Sequence, residues 1–65
     1  MEKGNRIHFT YKGGRRVGGI IDKIIGKTIV VKLETDYKGK NDEWFEGELK
    51  SFNLKEMKAI LITNQ

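Results

Sequence analysis

The sequence predicts an all-β domain: five short strands forming a small, highly curved, partly open barrel, with one helical or 3₁₀ turn before the last strand. Three observations predict it. The stretch from Gly18 to Leu33 holds nine Ile, Val, Thr or Leu among sixteen residues, the types that suit a pleated, half-buried surface. Two further stretches, Arg6–Tyr11 and Glu43–Lys50, alternate in the manner of strands. The Ile/Val/Thr runs lack a helical period and eight glycines interrupt the chain, which argues against an all-α domain.

Met1 to Asn5 is a short polar lead-in. In Arg6–Tyr11, Ile7, Phe9 and Tyr11 take one face and Arg6, His8 and Thr10 the other, the pattern of a half-buried antiparallel strand. Lys12-Gly13-Gly14-Arg15-Arg16 follows as a flexible basic loop, in which adjacent glycines permit positive φ. Gly18-Gly19 suits a sharp bend of the kind found at barrel corners. The segment GGIIDKII, the turn Gly26-Lys27 and TIVVKL then form one β-hairpin. Glycine first in a two-residue loop suits a type II′ turn. Pairing outward from it sets Ile25 opposite Thr28 and Ile24 opposite Ile29. One extra residue around Asp22-Lys23, a β-bulge, restores Ile21 opposite Val31 and Gly19 opposite Leu33. Ile21, Ile24, Ile29, Val31 and Leu33 are expected to share a buried face.

Glu34–Asp42 is polar and aperiodic, hence a loop. In Glu43–Lys50 the alternation sends Phe45, Gly47 and Leu49 inward and Trp44, Glu46 and Glu48 outward. Ser51–Met57 suits a helical or 3₁₀ turn that plugs the core with Phe52, Leu54 and Met57. Lys58–Thr63 is the last strand, and Asn64-Gln65 frays.

Sixty-five residues make one domain, near the lower limit for folding without a disulfide or metal. The chain has no Cys, so neither a disulfide nor a thiolate zinc site is available. No apolar run approaches the roughly 20 residues of a membrane span, and MEKGNRIHF is no signal segment. A soluble, unprocessed, cytoplasmic chain without membrane association is expected, as a monomer or weak dimer. The net charge of +4 is uneven: residues 1–33 carry +6 and residues 34–65 carry −2. Such asymmetry permits a basic surface for polyanions.

The candidate nucleic-acid contacts are Lys12, Arg15 and Arg16 in the Gly-rich loop, with Lys23 and Lys27 toward the hairpin's other end or on its solvent face. Backbone N–H groups and guanidinium forks there would both reach phosphate; the alternative is solvated surface charge. The candidate protein contacts are Trp44, turned outward by the alternation, and Tyr37 in the polar loop. Glutamates at 43, 46 and 48 favour protein over phosphate near Trp44. His8 reads as a surface strand residue, with phosphate contact as the alternative. Asp22 reads as bulge chemistry or a surface pair, and adjacent Asp42 and Glu43 point to opposite faces. No Ser/His/Asp set, phosphate-binding G-x-x-x-x-G-K-[ST] or metal-ligand cluster occurs, so a non-catalytic protein without cofactor or metal is expected.

Gly4, Ile7, Phe9, Gly13, Gly19, Ile21, Ile24, Ile29, Val31 and Leu33 follow a KOW-type order. In it a glycine precedes the first strand, a Gly-containing loop follows, and a G-x-V-x-x-I-like strand pairs with V-x-V-x-L. Over residues 4–33 the chain resembles the small, stand-alone KOW-like bacterial domains of unknown function. Beyond Leu33 it is similar only to the general SH3-like layout. The resemblance implies an SH3-like barrel and a partner that is RNA, or a ribosomal or transcription protein. Two functions follow: nucleic-acid backbone binding through the basic loop, or regulation or inhibition of a larger protein through Trp44 and an exposed sheet edge.

Overall fold

In the computed structural model, which describes residues 1–12, 14–39 and 41–63, the central hairpin is β2 (Arg15–Ile25) joined to β3 (Thr28–Leu33). Its register is the expected one. Ile25 pairs with Thr28, Ile24 with Ile29, Ile21 with Val31 and Gly19 with Leu33, and the ladder shifts by one residue between Ile21 and Lys23. Gly26 has φ +59° while Lys27 keeps a negative φ, as a type II′ turn requires. Asp22 is therefore the extra residue, and it keeps Ile21 on the core face.

β1 (Arg6–Tyr11) lies beside β2, and β7 (Met57–Thr63) beside β1. On the other side β6 (Leu49–Asn53) pairs with β3, giving the order β6-β3-β2-β1-β7. The sheet is all antiparallel and stays open, its two edge strands joined by a 3₁₀ turn, Leu54–Glu56. Asn53 caps that turn by accepting the Lys55 N–H at 2.9 Å. Ile7, Phe9, Val17, Ile21, Ile29, Val31, Leu33, Phe52 and Met57 form the core. The expected turn over Ser51–Met57 is shorter than the sequence suggested: only Leu54–Glu56 is 3₁₀, and Phe52 and Met57 reach the core from β6 and β7, with Leu54 half-buried between them.

Four of the five expected strands are present, and several details differ. Arg15 and Arg16 are not in a loop: they pair with Tyr11 and Thr10, which leaves only positions 12–14 as the connection. Of that connection Gly13 lies outside the described residues, as do Asn64 and Gln65 at the chain's end. The lead-in is pinned to β2. Gly4 N–H donates to the Ile21 carbonyl at 2.8 Å, and Ile21 N–H donates to the Asn5 carbonyl at 2.9 Å. Ile24 is 38% exposed, because β2 beyond Ile20 has left β1 and nothing covers its tip. The Gly18-Gly19 pair lies within continuous β2 and answers close approach: the His8 ring covers Gly18, and the β3 backbone at Lys32 abuts Gly19.

The largest departure lies between Leu33 and Leu49. The expected loop contains β4 (Tyr37–Lys38), paired with β5 (Glu43–Trp44) as a separate two-stranded ribbon. The expected strand Glu43–Lys50 is broken by a turn in which Glu48 N–H donates to the Phe45 carbonyl at 3.1 Å, with Gly47 at φ +91°. Carboxylates hold this turn: Glu48 accepts from Phe45 N–H at 2.6 Å and Asp36 from Glu46 N–H at 2.9 Å. Beyond the turn the alternation restarts on the opposite side. Phe45 and Leu49 are consequently exposed, at 53% and 55%, and Trp44 is the residue that packs on the core. Among the described residues no helix is long and apolar enough to cross a membrane.

Candidate nucleic-acid interface

Charge is sorted by architecture more sharply than by chain half. The strands of the five-stranded sheet carry Arg6, Arg15, Arg16, Lys23, Lys32, Lys50 and Lys58 against one acid, Asp22. Six of the chain's nine acids lie instead between Glu34 and Glu48, in the connection that holds the ribbon. That segregation leaves the sheet basic.

The 3₁₀ turn brings two distant turns together. Its first residue, Leu54, donates its N–H to the Lys27 carbonyl at 2.9 Å, which ties it to the β2–β3 turn. Its last residue, Glu56, accepts from Lys12 Nζ at 3.2 Å, which ties it to the β1–β2 turn. Three residues of 3₁₀ turn advance only about 6 Å, so Lys12 and Lys27 flank one short segment. Lys55 within it is exposed, and Lys58 follows immediately on β7. Sequence reasoning assigned Lys12 and Lys27 to opposite parts of the hairpin and missed Lys55 and Lys58. No local signal reveals the association, because it depends on where β6 ends and β7 begins.

The remaining candidate cations differ in how freely they face solvent. Arg16 donates to Thr10 Oγ1 at 3.2 Å and to the Ala59 carbonyl at 3.1 Å. Ala59 has φ +51° and sits where β7 bulges, so that Ala59 and Ile60 together stand across from Phe9. Arg16 is therefore partly a structural clamp on the bulge. Arg15 is exposed opposite Tyr11, and Lys23 is exposed opposite Val30. His8 is exposed over Gly18.

Lys12 is held in two ways, by the Glu56 carboxylate and by the Tyr11 ring, whose centroid lies 5.4 Å from Nζ. The hydrogen bond to Glu56, then the nearby Tyr11 and Glu56 charges, keep its pKa above the ordinary lysine value. It stays cationic at neutral pH.

Trp44 and Tyr37 are cross-strand partners in the ribbon and stack with centroids 4.4 Å apart at 24°. The indole also meets the Phe52 ring edge at 5.5 Å and Tyr11 at 6.3 Å, with Lys50 Nζ 5.6 Å from its centroid. Trp44 is thus not turned outward; it and Tyr37 form a half-buried aromatic lid over Phe52. Gly39 lies against the Tyr37 ring edge. Each ring keeps part of its surface exposed.

Comparison with protein-family models, with curated proteins and with solved structures gave no match. Function therefore has to be argued from this geometry. The chemistry offered is that of exposed lysines on and beside one 3₁₀ turn, with the Thr10 hydroxyl and the Glu56 carboxylate lining the same cleft as Lys12 and Lys58.

Proposed function

We propose that this chain is a non-catalytic binding module, an SH3-like, KOW-like partly open barrel that takes the phosphate backbone of RNA or DNA with little base preference. The observation that carries this reading is the gathering of Lys12, Lys27, Lys55 and Lys58 around one 3₁₀ turn, on a sheet whose strands hold a single acid. Lysines on rigid turns fix phosphate as point charges, and contacts of that kind position a backbone without reading sequence. The strand order, with a 3₁₀ turn leading into the last strand, supports the SH3-like assignment.

The test is a titration of the whole chain with labelled single- and double-stranded RNA and DNA at low salt. Binding is expected, with Lys27→Ala and Lys55→Ala each weakening it similarly across unrelated sequences. Absence of binding to all four would refute the proposal.

One observation favours a second reading, a protein contact. β7 is an open edge of the sheet and exposes Leu61 at 64% and Ile62 at 37%. That edge, rather than Trp44, is where a partner strand would add. Retention of a lysate protein after nuclease treatment, together with no nucleic-acid binding, would favour it.

A further inference from the structure

Between the β1–β2 turn and the start of β7 lies an open cleft of about 400 Å³, lined by Thr10, Lys12, Gly14, Glu56 and Lys58. Its chemistry is set by cross-strand pairing. Thr10 stands between Lys58 on one side and Arg16 on the other, so the three form one row across β7, β1 and β2. Residues paired in this way lie about 5 Å apart at Cβ. Arg16 donates to Thr10 Oγ1, so that oxygen already accepts a charged donor and its own O–H is left to donate elsewhere. The cleft thus presents two ammonium groups and a hydroxyl donor, with a guanidinium behind the hydroxyl. Among the described residues Glu56 is the single acid lining it, and its carboxylate rests on Lys12 at 3.2 Å. An exposed ion pair of this kind is weak and exchangeable.

We propose that this cleft is a phosphate site, which seats one phosphate group between Lys12 and Lys58 with the Thr10 hydroxyl as third donor. Glu56 occupies the place of that anion and is displaced from Lys12 when phosphate binds. The inference rests on the nucleic-acid reading for its ligand, a backbone phosphodiester, although a free polyphosphate carries the same chemistry. Glu56 makes the affinity of the cleft lower than its cations alone would give.

The experiment uses the full chain and a labelled 20-nucleotide oligothymidylate, read by anisotropy at low salt, with melting curves to confirm that each variant is folded. Glu56→Gln should bind about two- to fivefold more tightly, the range an exposed pair represents. Glu43→Gln removes the same charge outside the cleft and should change little. Lys58→Ala should weaken binding more than Lys32→Ala, an exposed strand lysine outside the cleft lining, and Thr10→Val should weaken it without loss of charge. Equal effects of the two Gln variants, together with equal effects of the two Lys variants, would overturn the site while leaving nucleic-acid binding intact. A second arm adds tripolyphosphate and reads the melting temperature. A rise that is lost in Lys58→Ala, with no oligonucleotide binding, would keep the cleft but overturn its nucleic-acid ligand. No response in either arm would overturn both.

Discussion

Gly18 and Gly19 are adjacent in one strand, yet the structure gives them opposite tolerances for a methyl group. A Cβ on Gly19 would lie 2.3 Å from the Lys32 carbonyl oxygen and 2.6 Å from Val31 Cγ1. The first of these atoms is backbone of β3, which is paired with β2 on one side and β6 on the other. β3 cannot retreat without straining both ladders, so Gly19→Ala should cost about 2–3 kcal/mol, the upper part of the range for overpacking. A domain of this size carries roughly 3–10 kcal/mol in total. Each kcal/mol moves its melting temperature by about 4–8 °C, which predicts a fall on the order of 10–20 °C. A Cβ on Gly18 would lie 2.7 Å from His8 Cδ2 and 2.9 Å from Nε2. Both atoms belong to the far end of an exposed side chain that rotates away, and the loss of unfolded-state freedom partly offsets that shift. Gly18→Ala should melt within a few degrees of the parent. Thermal unfolding followed by circular dichroism checks both variants. Equal melting temperatures for Gly18→Ala and Gly19→Ala would refute the assignment of β3 as the rigid neighbour.

Other outcomes follow from the same packing. Ile21→Asp places a carboxylate among Ile29, Val31 and Leu33 at a site 1% exposed and should unfold the chain, whereas the half-buried Ile20→Asp should leave it folded; circular dichroism at room temperature separates them. Ala59→Gly relieves a left-handed backbone that costs an L-residue about 1 kcal/mol, so its melting temperature should rise by a few degrees rather than fall. Tyr37→Ala uncovers one face of the single Trp, so its emission should lie to the red of the parent's.

The hairpin was legible because its determinants are local. A Gly-first turn and a one-residue bulge set the pairing of β2 with β3, and the buried Ile21, Val31 and Leu33 require that pairing. The connection after Leu33 was not, because its conformation depends on side chains reaching across sequence. Glu48 closes its own turn on Phe45 N–H, and Asp36 holds Glu46 N–H from ten residues away. Those two carboxylates break an alternation that otherwise reads as one strand, and they exchange Trp44 for Phe45 and Leu49 in the packing. The candidate site was half legible for a related reason. Lys12 and Lys27 stand out as turn cations, but only the 3₁₀ turn, bonded to one turn at Leu54 and to the other at Glu56, puts them beside Lys55 and Lys58. Arg16 also belongs partly to the fold, since it holds the β7 bulge.

The most direct test of the cation cluster is the salt dependence of oligonucleotide affinity. Each phosphate contact contributes about 0.7 to the slope of log K against log salt for a single strand and about 0.9 for a duplex. With Lys12 and Lys58 sharing one phosphate and Lys27 and Lys55 each meeting another, three contacts predict a slope of about −2.1 to −2.7 between roughly 50 and 200 mM salt. The double variant Lys27→Ala/Lys58→Ala, in which Lys12 still meets the shared phosphate, should bring it to about −1.4 to −1.8 while the fold is kept. A slope near zero in the parent chain, or one unchanged in the double variant, would contradict phosphate binding at this end of the sheet.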